Sequence, residues 1–414
     1  MIRIKVITLF IMQDNVVLSV IDAKKSKLKR QIIRELYRSQ SRTISQLANR
    51  LHTSIPSTTA LIEELSLSHW VQGIGTGVAQ FGRKPSLFAL DATQYATVVV
   101  DINIHDTKLM LFNLANQLIY RLDIDLRLDK SPAFLRVLAE PLEQVVQRIK
   151  NDQLQVIGVG VSLPGLVNPW EAINHTYPSL NSSEQPLDQL LQNLFDAPAY
   201  LINDTKATIL GEHRFGLAQG KRHVLSINID WGIGLGVITN GEILQGAAGF
   251  AGELGHIQMK TDGELCSCGK VGCLETLASA SSLIRRAKAA LADGKASMLA
   301  DADPDAIDIE TIIANANAGD ELAIDLLSDV GRALGKALST TIHLFNPELI
   351  IINGVLAKAE SAIIKPIELA IDTYCLPNYR DNLTIELSEL GELAKFYGTQ
   401  AYVIQNLLEH ELIP

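Results

Sequence analysis

Four residues near the middle of the chain have the spacing of a metal site. One histidine is followed by three cysteines: His256, Cys266, Cys268 and Cys273. One imidazole and three thiolates complete the tetrahedral coordination of zinc and leave no position for water, so the spacing predicts a structural zinc site. Reactive or incidental thiols are the alternative. The remaining cysteine, Cys375, is far from the others in sequence and is expected to be a small buried hydrophobe.

Polar residues that could bind hydroxyl groups occur in two places. Glu253 and Glu275 flank the predicted metal loop, which would fix both carboxylates. Asn203 and Asp204 end a predicted strand directly before a helix, where the carboxylate could accept a hydroxyl proton as a general base. Taken alone, an Asn-Asp pair at a strand end is more often a turn and helix cap. The two glutamates could equally be exposed residues without a role.

A run of alternating glycines lies between two predicted strands and comprises Gly232, Gly234 and Gly236. Backbone N–H groups at glycines can approach a phosphate closely, so the run could cradle a nucleotide. It could equally form a tight β-turn, and an isolated glycine run does not distinguish the two.

The chain has 414 residues, of which 47% are hydrophobic and 20% charged, and this is typical of a globular protein with two or three domains. Its formal net charge of -10 is unevenly distributed. Residues 1–90 contain 13 Lys and Arg against 5 Asp and Glu, a charge of +8, and the remainder carries -18. The two parts are therefore expected to have different partners. Gln13 and Asp14 interrupt the N-terminal apolar run, so no membrane span is predicted and a cytoplasmic protein is expected.

The basic segment predicts a DNA-binding domain. Apolar residues recur at helical spacing in three stretches, and a three-residue connection joins the second and third helices at a steep angle. Ser54 ahead of Pro56 predicts the N-cap of the third helix. This helix opens with hydroxyl side chains that would allow close approach to DNA: Ser57, Thr58 and Thr59. The next segment predicts a β-hairpin wing with Arg83 and Lys84 at its tip or edge. The pattern resembles the winged helix-turn-helix of bacterial regulators. A helical interaction domain with a solvated basic face is the alternative.

The acidic body predicts an α/β architecture with two lobes. Hairpins, a helix and a buried strand are followed by a second set of elements in similar order, which includes an Asn240-Gly241 turn. The predicted domains are residues 1–90, residues 91–203 completed by a closing helix at 391–414, and residues 204–390. Two lobes of similar plan imply a ligand cleft between them, at the carboxyl ends of the strands.

These motifs together resemble the ROK family of repressors and sugar kinases over residues 25 to 410. The most specific match is the stretch from Glu253 to Glu275, which contains the metal motif. The resemblance implies a two-lobed, actin-like or hexokinase-like ATPase fold behind the winged helix-turn-helix domain. It also implies a set of residues that hold the hydroxyls of a hexose: Asn203, Asp204, Glu253, His256 and Glu275. In kinases of the family, the residue that matches Asp204 is the catalytic base.

The nucleotide half departs from the family pattern. Kinases of the family carry an Asp-x-Gly-Gly-Thr phosphate turn, whereas this chain has Asn103 and Ile104 in place of the glycines. Trp231 and Leu235 stand in the second phosphate loop, where smaller residues are usual. These departures argue against ATP binding, because glycines let the backbone wrap a phosphate.

The residues implied to bind the sugar also depart from the family pattern at one position. Ser179 replaces an asparagine that is frequent in the family, and the nearby Asn181 could compensate. This departure concerns which sugar would bind.

The sequence thus predicts a sugar-responsive transcriptional regulator, a repressor, with a structural zinc ion and no catalytic residues. The partners implied by the resemblance are a double-stranded DNA operator, a sugar or sugar-phosphate effector, and further copies of the chain in a homodimer or tetramer. Two alternatives remain: a sugar kinase of the same fold, with or without a regulatory role, and a regulator that senses a protein partner.

Overall fold

Three helices and a small antiparallel sheet form the N-terminal head. The computed structural model describes residues 20–76, 84–131, 133–181, 185–301, 303 and 306–413. The head contains helices α1 (Val20–Ser39), α2 (Ile44–Arg50) and α3 (Ile55–Leu67), and strands β1 (Arg42–Thr43), β2 (Val71–Thr76) and β3 (Ser86–Leu90). The sheet order is β1-β3-β2. The three predicted helices and the two strands of the predicted wing are therefore present.

Local capping fixes where the head's short helices begin. Thr43 forms a capping box with Gln46 at the start of α2. Ser54 caps α3 by accepting a hydrogen bond from the N–H of Ser57 at 3.2 Å, and Pro56 follows in the first turn. The predicted cap at Ser54 is confirmed.

The first lobe of the body has a five-stranded sheet in the order β10-β7-β4-β5-β6. Its strands are β4 (Tyr95–Ile102), β5 (Thr107–Asn113), β6 (Leu118–Ile124), β7 (Gln155–Leu163) and β10 (Ala199–Asn203), and a small hairpin pairs β8 (Val167–Asn168) with β9 (Ile173–Asn174). Helices α4 (Phe134–Asn151) and α5 (Leu187–Phe195) cover one face. The strands β10, β7 and β4 run parallel, so their carboxyl ends meet at one edge of the sheet.

The second lobe repeats this plan with a sheet in the order β13-β12-β11-β14-β15. Its strands are β11 (Val224–Ile229), β12 (Ile233–Thr239), β13 (Glu242–Ile243), β14 (Leu349–Asn353) and β15 (Thr384–Leu387). Five helices cover one face: α7 (Leu274–Ala278), α8 (Ala280–Ala292), α9 (Ile309–Asn317), α10 (Glu321–Phe345) and α11 (Ser361–Tyr374). Asn240 and Gly241 both have positive φ, 55° and 83°, and form the predicted hairpin turn. Helix α11 begins only at Ser361, because residues 355–359 form a 3-10 helix.

Two helices lie between the sheets and join the lobes. Helix α6 (Asp204–Phe215) packs on the second sheet, where Ile209 contacts Val224 and Ile351. Helix α12 (Leu393–Glu409) packs on the first sheet, where Val403 lies over the glycines of β7. No helix in the described part of the chain has both the length and the apolar character that crossing a membrane requires.

Two glycines allow α6 and α12 to touch backbone to backbone. A Cβ atom on Gly211 would lie 1.8 Å from the carbonyl oxygen of Ala394, and one on Gly398 would lie 1.7 Å from that of Ala207. Neither contact can be relieved by a side-chain rotation, because the opposing atoms belong to the backbone. The two helices are therefore held together as one unit.

The head's core is continuous with the body through α12. The C-terminal half of this helix packs among the buried residues of α1, α3 and β2, and contributes Val403, Ile404, Leu407 and Leu408. Trp70, directly before β2, stacks on Tyr95 of β4 with ring centres 4.4 Å apart. The head is thus fixed to the body by apolar packing as well as by the chain.

The helix contact at Gly398 can be tested by adding one methyl group. We expect Gly398→Ala to lower the free energy of unfolding by about 1–3 kcal/mol or more, because α12 must move away from α6. Gly73→Ala is the matched control, since its Cβ would lie no closer than 4.0 Å to any neighbour. Calorimetric melting temperatures give the comparison, and an unchanged melting temperature for Gly398→Ala would contradict the contact.

Candidate functional site

The four predicted metal ligands come together at one point of the second lobe. Their ligand atoms all lie within 4.8 Å of one another. Nδ1 of His256 is 3.7 Å from Sγ of Cys266, and the sulfurs of Cys268 and Cys273 are also 3.7 Å apart. A tetrahedral zinc ion with Zn–S bonds of about 2.3 Å would separate two sulfurs by about 3.8 Å. The donor set can therefore hold a metal ion of this size with little adjustment.

The loop backbone explains why the cysteines converge. Gly269 and Gly272 have positive φ, 87° and 73°, as tight turns require. A Cβ on Gly272 would lie 1.6 Å from the carbonyl oxygen of Lys260, so only glycine fits there. The N–H of Cys266 donates to the carbonyl of Lys270 at 2.7 Å and closes the loop.

The metal loop also positions two carboxylates. Glu253 directly precedes the 3-10 helix that ends at His256, and its side chain is exposed. Glu275 lies in the first turn of α7, which begins directly after Cys273. Its Oε2 accepts a hydrogen bond from the N–H of Ile233 at 3.2 Å, so Glu275 ties the metal loop to β12. Glu253, Glu275 and His256 lie close enough for their charges to interact.

Asn203 combines the roles of helix cap and site residue. Its Oδ1 accepts a hydrogen bond from the N–H of Lys206 at 3.1 Å, and its Nδ2 donates to the carbonyl of Gly165 at 3.1 Å. The cap interpretation of the Asn-Asp pair is therefore correct for Asn203. The same bonds fix the direction of the residue that follows it.

Asp204 lies half-buried at the start of α6, where the two lobes meet. Burial raises its pKa to about 6, and the nearby carboxylates of Asp101 and Asp230 act in the same direction, whereas Lys395 and the N–H of Thr205 oppose the rise. Such a carboxylate changes its charge just below neutral pH. It can accept hydrogen bonds from hydroxyl groups when ionised.

Lys206 also belongs to this group of residues, although it was not predicted from the sequence. It is only 4% exposed, and its ammonium donates to the carbonyl of Gly249. Burial lowers its pKa to about 8, and the charge of Glu253 partly opposes that shift. Lys206 therefore links the start of α6 to the segment that carries Glu253. A lysine two residues after the Asn-Asp pair was the available signal.

The turn between β4 and β5 is self-bonded: its backbone N–H groups donate hydrogen bonds to a side chain of the same turn. Oδ1 of Asn103 accepts hydrogen bonds from the N–H groups of His105 at 2.8 Å and Asp106 at 3.1 Å. The ring of His105 contacts the ring of Trp231 in the β11–β12 turn, with centres 4.4 Å apart. Two turns from different lobes thus close against each other.

A lysine from α12 lies beside the start of this turn. Nζ of Lys395 is 2.8 Å from Oδ2 of the fully buried Asp101, whose other oxygen accepts a hydrogen bond from Ser162 at 2.7 Å. Burial alone would lower the pKa of Lys395, but the charges of Asp101 and Asp204 raise it, so the ammonium stays protonated. No sequence pattern indicated this residue.

The alternating glycines are explained by packing. A Cβ on Gly232 would lie 2.6 Å from Oε2 of Glu275, and one on Gly234 would lie 2.1 Å from Oγ1 of Thr205. A Cβ on Gly236 would lie 2.6 Å from Ile209. These contacts favour the β-turn and strand interpretation of the run.

Asn181, which is predicted to compensate for Ser179, is hydrogen-bonded to the backbone of Asn174. Its Oδ1 accepts from the N–H of Asn174 at 3.0 Å and its Nδ2 donates to the carbonyl of the same residue at 2.6 Å, so each end of the amide keeps capacity for one further hydrogen bond. Oγ of Ser179 is buried and has no hydrogen-bond partner among the described residues.

The predicted DNA-binding residues divide into three groups. Ser57 is exposed and Thr59 is half-buried, both in the first two turns of α3. Thr58 is fully buried and donates to the carbonyl of Ser54 at 3.0 Å, so the prediction that it contacts DNA is wrong. Lys84 is exposed beside β3, whereas Arg83 lies outside the described residues.

Residues 97–406 match the model of the ROK family. The N-acetylglucosamine repressor of Shigella flexneri is 31% identical over 374 residues, which cover 88% of this chain and 90% of the repressor. A crystal structure of a ROK family transcriptional regulator, a homologue of the Escherichia coli MLC protein, superposes with a TM-score of 0.79 at 29% identity and covers 93% of this chain and 99% of its own.

A ROK family glucokinase from Streptomyces griseus, solved with glucose and AMPPNP, is more distant. It has a TM-score of 0.64 at 26% identity, and the match covers 75% of this chain and 99% of the glucokinase. The regulators are therefore matched over more of this chain than the kinase.

The metal cluster can be tested with one cysteine substitution and a matched control. We expect Cys268→Ser to reduce bound metal from about one ion per chain to near zero, because the tetrahedral set loses a thiolate. Cys375→Ser should keep its metal, since Cys375 is half-buried at the edge of the second lobe's core and outside the cluster. Elemental analysis of the purified proteins gives the result, and full metal content in Cys268→Ser would contradict the ligand assignment.

Proposed function

This chain belongs to the ROK family, and on that basis we propose that it is a DNA-binding transcriptional regulator whose affinity for DNA changes when a sugar binds between its lobes. The effector is a hexose, an amino sugar or a phosphate of either. We propose that the metal is zinc, which suits three thiolates and one imidazole and would act by fixing the loop. The regulator works in the cytoplasm as a dimer or a dimer of dimers.

The observation that carries the proposal is the self-bonded turn between β4 and β5. Nucleotide phosphates are bound by free backbone N–H groups in such turns. Here the N–H groups of His105 and Asp106 already donate to the side chain of Asn103. A nucleotide would have to break these bonds and separate His105 from Trp231. This arrangement favours a protein that binds sugar without transferring phosphate.

Backbone N–H groups in two loops of the second lobe support the same conclusion. The N–H of Ile233 donates to Glu275, and the N–H of Val355 donates to Oδ1 of Asp230 at 2.6 Å. These backbone donors of the second lobe are also satisfied by carboxylates of the protein. An anionic phosphate would compete with fixed negative charges for the same N–H groups.

The sugar side offers polar groups that are suited to hydroxyls. Asn203, Asp204, Glu253 and Glu275 supply carboxylate and amide oxygens, which can accept bonds from neighbouring hydroxyls. Because Nδ1 of His256 faces the sulfurs, its Nε2 remains to donate a hydrogen bond outwards. A polar pocket of this kind discriminates strongly between sugars.

The head supplies the DNA-binding surface in this proposal. Its segment carries a net charge of +8, whereas the rest of the chain carries -18. Attraction to phosphates would therefore come from the head, while the body is repelled. The exposed N-terminal turn of α3, with Ser57, is the part that would enter the major groove.

A thermal-shift screen against hexoses, amino sugars and their 6-phosphates tests the proposal. A sugar present at about 100 times its dissociation constant should add about 2.7 kcal/mol of stability. ATP with magnesium should add nothing and should not be consumed in the presence of the same sugar. Phosphate transfer at kinase rates, about 1–100 per second, would show that the chain is a sugar kinase instead.

The pKa of Asp204 makes a pH prediction for sugar binding. The carboxylate is ionised above about pH 6 and protonated below it, because its pKa is raised to about 6. If the ionised form binds hydroxyls, sugar affinity should fall about tenfold between pH 7 and pH 5. Asp204→Asn should bind more weakly and lose this dependence.

The matched control for that experiment is Asp152→Asn, at the exposed end of α4, which should keep the wild-type pH profile. Calorimetric titration at several pH values gives the affinities. An Asp204→Asn variant with wild-type affinity and the same profile would remove Asp204 from the site.

A further inference from the structure

Helix α6 connects the candidate effector site to the DNA-binding head. Its first residue is Asp204, and its last turn contains Arg214. Arg214 donates hydrogen bonds to the carbonyl of Tyr37 and, at 3.5 Å, to that of Arg38. Both carbonyls lie in the last turn of α1. One helix therefore has the sugar site at one end and the head at the other.

The contact has the chemistry of a helix C-cap. The last four carbonyls of a helix have no partner within it, and they carry the negative end of its dipole. The guanidinium of Arg214 satisfies two of them and brings a positive charge. Its Cζ also lies 4.4 Å from the centre of the Tyr37 ring and 5.6 Å from that of Phe215, so it is held between two aromatic faces.

Arg214 is half-buried at this contact. Tyr37 is only 7% exposed, and neither its hydroxyl group nor Nε of Arg214 has a hydrogen-bond partner in the described part of the chain. If the half-buried guanidinium lost the carbonyls of α1, its N–H donors would be left without these partners, which is costly. Arg214 must therefore move together with the end of α1.

Helix α1 is in turn fixed to α3, the recognition helix that would enter the major groove. Lys25 and Lys29 of α1 both pair with Glu64 of α3, at 2.5 Å and 3.1 Å. Buried apolar residues of the two helices share one core, among them Ile33 and Leu61. A change in the position of α1 is thus a change in the position of α3.

Helix α6 cannot slide independently of α12. Gly211 and Gly398 hold it against α12, backbone to backbone. The C-terminal half of α12 is packed into the head, and Arg30 of α1 pairs with Glu411 just beyond it at 2.8 Å. The two helices therefore move as a unit whose far end lies in the head.

We propose that Arg214 is the positioning residue through which occupation of the Asp204 site controls the placement of α1, and through it of the recognition helix. The inference rests on the proposed function, since it names how the sugar site regulates DNA binding. Arg214 touches neither sugar nor DNA. Its substitution should remove the coupling between the two sites while each site continues to bind.

The test compares full-length, metal-loaded wild type with Arg214→Ala and Arg214→Lys. The sugar probes are D-glucose, N-acetyl-D-glucosamine and their 6-phosphates, and the DNA probe is a duplex selected from random sequence by the wild-type protein. Arg332→Ala is the matched control, because Arg332 is an exposed arginine of α10 paired with Asp329. Each variant is measured for sugar affinity, for DNA affinity, and for DNA affinity with saturating sugar.

In wild type, we expect the sugar to change DNA affinity about 5- to 150-fold, and DNA to change sugar affinity by the same factor. In Arg214→Ala both factors should fall to near one, while the separate affinities stay close to wild type. Arg214→Lys keeps the charge but lacks the planar fork, so it should lose most of the coupling and serves as the test if the alanine variant does not fold. Arg332→Ala should keep the full coupling.

Wild-type coupling in both Arg214 variants would overturn the inference and leave the proposed function intact. It would also be overturned if the variants lost coupling only because one of the two separate affinities had collapsed. If wild type bound none of the sugar probes, the proposed function would fail, and this inference with it.

Discussion

The backbone contact between α6 and α12 is the constraint on which the rest of the molecule depends. The contact requires glycine at positions 211 and 398, since any side chain at Gly211 or Gly398 would push the helices apart. The contact places the two sheets on opposite sides of one helix pair. It puts Asp204 and Lys395 at the end of the pair where the two lobes meet, and Arg214 and Leu407 at the end that faces the head. A ligand that shifts the cleft end must act on a unit that extends into the head.

The charges where the two lobes meet bear on the proposal that no nucleotide takes part. Three carboxylates, Asp101, Asp204 and Asp230, lie near one another at the meeting point of the lobes. In an enzyme that transfers phosphate, a metal–nucleotide complex brings positive charge to such a group. Here Lys395 supplies a permanent positive charge, 2.8 Å from Asp101. Together with the self-bonded Asn103 turn, this arrangement supports the proposal that a sugar is the effector and that no nucleotide takes part.

The sequence was sufficient for features that are local in the chain. The helices and strands of the body, the Ser54 cap, the Asn240-Gly241 turn and the metal motif all depend on residues within about twenty positions of one another. Features that depend on tertiary packing were missed or wrong. Thr58 has the same hydroxyl chemistry as its neighbours, and only the packing of α3 shows that it is buried. Lys395 and Arg214 bind to partners that are distant in sequence, and no sequence pattern predicts such pairs.

The central claim is that sugar alone, without nucleotide, controls DNA binding by this chain. The most direct measurement immobilises the protein on a surface, captures genomic DNA fragments on it, and then washes with sugar, with ATP and magnesium, or with both. We expect that a small set of fragments is retained specifically, that one sugar changes their retention, and that ATP neither adds to nor replaces its effect. Retention that changes only when sugar and ATP are present together would contradict it, as would the absence of any specifically retained fragment.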